Sequence, residues 1–139
     1  GIIMGWTSIT NDISIEPIIL YVSAIFWTLG YDTIYGLQDI YDDEIIGVKS
    51  TSIKFKNNPK KFLLICYLVF FLSYLFLGQI MNFNYFFYIG ALIIFAHLFF
   101  YQLKKFDSKN VIKCFKIFKS NNFFGFLVLI SIFLGKFDI

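Results

Sequence analysis

The chain has 139 residues, of which 58% are hydrophobic and only 15% are charged, and its mean hydropathy is +0.72. A soluble domain of this size cannot hide so much apolar surface, because small domains keep a large ratio of surface to volume. The composition therefore excludes an ordinary soluble fold and indicates an integral membrane protein, and with a net charge of only +3 we expect no nucleic-acid partner.

Charge-free stretches predict the membrane spans. Residues 17–31, 62–103 and 120–135 contain no lysine or acid. A membrane-crossing helix needs roughly 20 apolar residues, so the longest stretch holds two spans, separated by polar turn residues between 78 and 84. We predict an all-α integral membrane bundle of about four transmembrane helices. The predicted spans are residues 14–38, 61–80, 85–105 and 118–136.

The lysines predict the orientation of these helices. All twelve cations are lysines. One group, residues 49–61, lies between the first and second helices, and another, residues 104–119, lies between the third and fourth. Only Lys136 falls outside these two groups, so the other lysines share one membrane face. The positive-inside rule places that face in the cytoplasm.

An acidic segment lies where the first helix leaves the membrane at this face. Asp32, Asp39 and Asp43 fall within roughly 40° of arc if the helix continues through them at about 100° per residue. Crowded carboxylates repel one another unless a cation bridges them. Mg²⁺ suits such a place because it takes few carboxylates, keeps waters and binds substrate phosphates. Lys49 and Ser50 follow closely, after a glycine that can end the helix, so the segment predicts a metal–diphosphate site at the membrane face.

Plainer interpretations remain open at this stage. A mixed acidic and basic segment beside a span is often only a solvated loop, and Tyr31 and Tyr35 suit the aromatic belt of a membrane interface without any function. Cys66 and Cys114 lack metal-ligand spacing. The single histidine, His97, cannot build a metal site alone, and we expect it to be a hydrogen-bonded residue of the bundle.

The run from Gly30 to Thr51, GYDTIYGLQDIYDDEIIGVKST, resembles the second aspartate-rich motif of the UbiA prenyltransferase superfamily, and most closely its 4-hydroxybenzoate polyprenyltransferase branch. The resemblance implies Mg²⁺-dependent transfer of a chain from polyprenyl diphosphate to 4-hydroxybenzoate in ubiquinone biosynthesis, by a multi-pass protein of the bacterial inner membrane. It also implies roles for individual residues. Asp39 and Asp43 would ligate magnesium and, with Lys49, serve catalysis, while Tyr31, Asp32, Lys49 and Ser50 would bind substrate.

One departure from the family pattern limits this interpretation. The first aspartate-rich motif, an NDxxDxxxD-like run, does not occur, because Asn11-Asp12 has no second aspartate three or four residues on. We therefore expect residues 1–139 to be the C-terminal part of a nine-helix fold, inactive without an N-terminal half. The alternatives are a small membrane transporter or assembly subunit, or a prenyltransferase half that acts on a different aromatic acceptor.

Overall fold

The computed structural model describes residues 1–137, which are helical with short connections and contain no strand. Seven α-helices follow one another along the chain, and a π-helical segment, Ala96–Leu103, continues the sixth of them without a break. They are α1 Ile2–Thr10, α2 Ile15–Gly36, α3 Ile40–Ile46, α4 Thr51–Lys54, α5 Pro59–Ile80, α6 Tyr85–Phe95 and α7 Val111–Lys136.

Four helices are long and apolar enough to cross a membrane: α2, α5, α7 and the continuous helix Tyr85–Leu103. The predicted fold class and number of spans are confirmed. Pro17 lies in the first turn of α2, and Ser14 occupies the cap position, although its side chain makes no capping bond. The short helix α1 was not predicted.

The largest difference from the predicted spans is at the start of the last one. α7 begins at Val111 rather than at residue 118. Asn110 caps this earlier start, because its Oδ1 accepts a hydrogen bond from the backbone N–H of Lys113 at 3.0 Å. Part of the second lysine group therefore lies on a helix rather than in a loop.

The long helices pack through small residues and aromatic rings. α2 lies against α5 and α7, and α6 lies against α7. Gly90 of α6 allows α7 to approach closely, since a Cβ placed on it would lie 3.3 Å from the Cα of Ser131 and overlap its side chain. Helices in lipid depend on such close packing, because lipid tails supply no hydrophobic drive for association between helices.

The change Gly90→Ala is expected to destabilise the bundle by about 1–3 kcal/mol, the usual cost of forcing extra volume into a packed interface. The matched control is Gly5→Ala in α1, where nothing lies within 4 Å of an added Cβ. Both changes gain the same helix propensity, so the difference between them reports the clash. Unfolding in mixed micelles, followed by circular dichroism, measures the stability of both variants. Equal stabilities would show that α6 and α7 do not pack closely at Gly90.

Candidate functional site

The acidic segment lies at the end of the bundle where both lysine groups lie, which we call the lysine-rich end. The two groups meet there, because residues 57–61 and 106–108 line one cleft. The segment itself is the connection from α2 to α5, and it contains the short helices α3 and α4. The prediction that the lysines share one end of the bundle is thus consistent with the packing.

α2 does not continue through the acidic residues. It ends at Gly36, and residues 37–39 form a turn before α3 begins at Ile40. Gly36 favours an end here because glycine weakens a helix, and its lack of a side chain leaves room for Ser52, since a Cβ on Gly36 would lie 3.2 Å from the Cβ of Ser52. The expectation that Asp32, Asp39 and Asp43 share one face of a continuous helix is therefore wrong, since Asp32 belongs to α2 and the other two belong to α3.

Asp39 and Asp43 nevertheless remain one helical turn apart. The backbone N–H of Asp43 donates to the carbonyl oxygen of Asp39 at 2.9 Å, so the two residues have the i, i+4 relation that puts side chains on one helix face. Asp39 occupies the N-cap position of α3, but its carboxylate makes no capping bond and stays exposed. Asp43 is half-buried in the first turn.

α3 ends where the sequence predicted. Gly47 has a φ of +78° and occupies the C-cap position, a left-handed conformation that glycine adopts without steric cost. The backbone N–H of Val48 then donates to the carbonyl oxygen of Asp43 at 3.0 Å. This reversal carries the chain to Lys49, which is exposed between α3 and α4.

The two α3 carboxylates fit part of a magnesium site. Within residues 1–137, no three His, Cys, Asp or Glu side chains group closely enough to hold a metal ion. Mg²⁺ does not require such a group, because it is commonly bound by one or two carboxylates together with waters and substrate phosphates. The donor set of Asp39 and Asp43 therefore fits Mg²⁺ as one part of its coordination, with the rest supplied by other ligands.

Hydroxyl groups of the acidic segment form hydrogen bonds with α2. The Oγ1 atoms of Thr33 and Thr51 are hydrogen-bonded at 2.7 Å, and the buried Ser52 hydroxyl donates to the carbonyl oxygen of Thr33 at 3.1 Å. Ser50 caps α4, because its Oγ accepts from the backbone N–H of Ile53 at 3.3 Å. The structure thus gives Ser50 a structural role in addition to the predicted role at a substrate.

The rings of Tyr31 and Tyr35 pack against α7, although Tyr35 is still 46% exposed. The ring of Phe118 in α7 lies 6.0 Å from that of Tyr31 and 4.8 Å from that of Tyr35, between ring centroids. Trp27, one turn earlier on α2, meets Tyr31 edge-on at 5.3 Å. These rings form an aromatic contact between α2 and α7, next to Asp32 in the chain.

A buried polar network below these rings was missed by the sequence analysis. Asn121 of α7 accepts from Trp27 Nε1 at 2.9 Å and from Gln102 Nε2 at 3.1 Å, and the Tyr67 hydroxyl donates to Gln102 Oε1 at 2.5 Å. Asn121, Gln102 and Tyr67 are all buried. The network links α2, α5, α7 and the π segment. Polar residues inside predicted spans were the available signal, because such residues are costly in a membrane unless they pair.

His97 has the role that the sequence predicted. Its Nε2 lies 3.3 Å from the Oγ of Ser120, which also lies 3.5 Å from Gln102 Nε2. The histidine is therefore a hydrogen-bonded member of the bundle at the edge of the polar network. Cys66 and Cys114 are both buried free thiols.

The sequence model of the UbiA prenyltransferase family matches residues 1–130, and the chain belongs to this family. A relative from Francisella tularensis subsp. mediasiatica (strain FSC147), named 4-hydroxybenzoate octaprenyltransferase, is 36% identical over 133 residues, covering 94% of this chain and 45% of the relative. A relative of the same name from Polynucleobacter necessarius subsp. necessarius (strain STIR1) is 33% identical over 135 residues, covering 97% and 47%. The chain thus spans about half the length of these curated relatives. No solved structure matches it.

Proposed function

We propose that this chain forms part of an integral membrane prenyltransferase that transfers a polyprenyl chain from its diphosphate to 4-hydroxybenzoate, with Asp39 and Asp43 as ligands of Mg²⁺. The observation that carries the proposal is the α3 pair, two carboxylates one turn apart and free of capping bonds beside the lysine-rich end. The names of the relatives support the choice of substrates.

Each residue of the segment has a role in this proposal. Mg²⁺, when bound, would offset the negative charge that develops on the departing diphosphate. The Lys49 ammonium, exposed on the loop after Gly47, adds a second positive charge for the diphosphate oxygens. Ser50 offers a hydroxyl next to it, and Tyr31 and Asp32 contact substrate from the end of α2.

The α3 pair supplies only part of a metal site, so the remaining ligands come from elsewhere. We propose that they belong to a second aspartate-rich segment in an N-terminal half of the enzyme, outside these residues. The length of the relatives supports this, since the chain covers only 45–47% of them. On this proposal the chain alone forms a helical bundle and supplies only the Asp39 and Asp43 side of the metal site. It is inactive without the N-terminal half.

Prenyl transfer in isolated membranes tests the proposed function. We expect membranes containing this chain together with the N-terminal half of a relative to form prenylated 4-hydroxybenzoate only when Mg²⁺ is present. Membranes containing either half alone provide the control and are expected to form none. Prenylation of other phenolic acceptors in preference to 4-hydroxybenzoate would overturn the choice of acceptor, and no product from any acceptor would overturn the assignment as an enzyme half.

We further propose that the lysine-rich end faces the cytoplasm of a bacterial inner membrane, following the positive-inside rule. Trypsin added to inside-out vesicles is expected to cut near Lys56 and near Lys109, in the two exposed connections. Sealed right-side-out vesicles serve as the control and are expected to protect these sites. Cleavage of the right-side-out vesicles at the same lysines would invert the topology.

A further inference from the structure

The lysine-rich end contains a second polar feature, separate from the acidic segment, where α5 begins beside the turn that follows the π segment. A cleft of about 290 Å³ opens there, lined by residues 57–61 on one side and 106–108 on the other. A second cleft adjoins it through Phe106 and Asp107, and Lys104, Lys105 and Lys113 complete its lining. Neither Asp39 nor Asp43 lines either cleft.

The charge around these clefts is strongly positive. Asp107 is the acid among the lining residues, and it is already paired, since its Oδ2 accepts from Lys113 Nζ at 3.2 Å. Its Oδ1 accepts from the backbone N–H of Lys109 at 3.2 Å. Within residues 1–137, no acid forms an ion pair with Lys60, Lys61 or Lys104. An anion that entered the first cleft would therefore meet uncompensated ammonium groups.

The start of α5 adds backbone donors to these ammonium groups. Pro59 is its first residue, and Asn58 at the cap position makes no side-chain capping bond. The first hydrogen bond of the helix runs from the N–H of Phe62 to the carbonyl oxygen of Asn58, at 3.2 Å. The backbone N–H groups of Lys60 and Lys61 precede it and therefore have no acceptor within the helix. These N–H groups and the dipole of a 22-residue helix favour an anion at this position.

The location identifies the source of the anion. Both sides of the cleft are ends of helices that are long and apolar enough to cross a membrane, α5 and Tyr85–Leu103, and such helices would place the cleft at the level of lipid headgroups. From Lys60 and Lys61 the same face of α5 continues into the membrane through Leu64, Ile65 and Leu68, all exposed. A molecule with a phosphate in the cleft and acyl chains along this stripe matches the surface in both charge and polarity.

We propose that the cleft formed by residues 57–61 and 106–108 binds the phosphate headgroup of an anionic membrane lipid. Lys60 and Lys61 contact the phosphate through their ammonium groups and through the N–H groups of the first turn of α5. The acyl chains lie along the apolar stripe of the same helix. The site is independent of the proposed prenyl transfer, because none of the residues given a role in that transfer lines the cleft.

Lipid titration of the purified chain, followed by native mass spectrometry, tests the proposal. We expect phosphatidylglycerol to bind at least tenfold more tightly than phosphatidylcholine. The double change Lys60→Gln and Lys61→Gln is expected to weaken phosphatidylglycerol binding on the order of 25-fold, since each lysine near an anionic lipid contributes on the order of fivefold. Both side chains are exposed, so folding is expected to be unchanged, and circular dichroism checks this.

The matched control is the double change Lys116→Gln and Lys119→Gln in α7, which removes the same amount of charge from the lysine-rich end but from residues that line neither cleft. It is expected to change binding less than threefold. An equal loss in both double variants would mean a diffuse attraction to the whole lysine-rich end and would overturn the site. Displacement of the lipid by inorganic phosphate at equal concentration would show a site for free phosphate and would also overturn the proposal.

Discussion

Replacing Asp39 or Asp43 by asparagine is expected to lower Mg²⁺-dependent prenyl transfer by the reconstituted enzyme on the order of a hundredfold or more. Asparagine keeps the shape of the side chain but removes the charge that a hard cation requires. Loss of one charge-stabilising group at a departing anion commonly costs this much in rate. The reaction is followed as transfer of a labelled prenyl chain to 4-hydroxybenzoate, with the proposed N-terminal half supplied from a relative.

The neighbouring residue Asp42 provides the matched control. It lies in the same helix and is exposed, but at about 100° per residue its side chain is displaced by about a quarter-turn from the arc that Asp39 and Asp43 share. Asp42→Asn is expected to leave transfer within about threefold of the unaltered protein. If Asp42→Asn proved as damaging as the other two, the loss would reflect the overall charge of α3, and the assignment of two specific ligands would be wrong.

The second large effect is expected at the buried polar network. Asn121→Leu keeps the volume of the side chain but leaves Trp27 Nε1 without its partner and removes the 3.1 Å bond to Gln102. Buried donors without partners cost about 1–3 kcal/mol each, although hydrogen bonds within membranes average nearer 0.6 kcal/mol. We therefore expect the variant to lose about 1–3 kcal/mol of stability in mixed-micelle unfolding.

Asn122→Leu is the control for this change. Asn122 is the next residue of the same helix, but its side chain is exposed. Its replacement by leucine is expected to be neutral or slightly stabilising in a lipid-like environment. If the two substitutions changed stability equally, the polar network would not contribute to the stability of the bundle. An intact Trp27 fluorescence spectrum in Asn121→Leu would lead to the same conclusion, since the indole is expected to lose its hydrogen bond.

The membrane spans could be predicted because charge is excluded from the lipid core, and charge is visible in a single sequence. The end of α3 at Gly47 and the role of His97 were also predictable, since they follow from local conformation and from the isolation of one polar residue. The break of α2 at Gly36 could not be predicted in the same way. Glycine also occurs inside α2, as Gly30 does, so Gly36 by itself does not mark the end of the helix, and its contact with Ser52 depends on tertiary packing.

The same reason explains the polar network. Tyr67, Gln102 and Asn121 are each ordinary residues in their own segments, and only the packing of α5, the π segment and α7 brings them together. The π-helical segment has no sequence signature that distinguishes it from the helix that it continues. In the candidate site, the predicted one-turn spacing of Asp39 and Asp43 is correct, because both residues follow the end of α2 and belong to the same short helix. Asp32, which lies on the other side, was separated from the pair.

Metal binding in the presence of an unreactive polyprenyl thiodiphosphate tests the central claim most directly. The reconstituted enzyme, with Mn²⁺ in place of Mg²⁺, is titrated and bound metal is counted by electron paramagnetic resonance. We predict that the protein binds Mn²⁺ tightly only with the thiodiphosphate present, and that changing both Asp39 and Asp43 to asparagine abolishes this binding while Asp42→Asn preserves it. Undiminished metal binding by the double variant would contradict the account, because the α3 carboxylates would then not be the ligands.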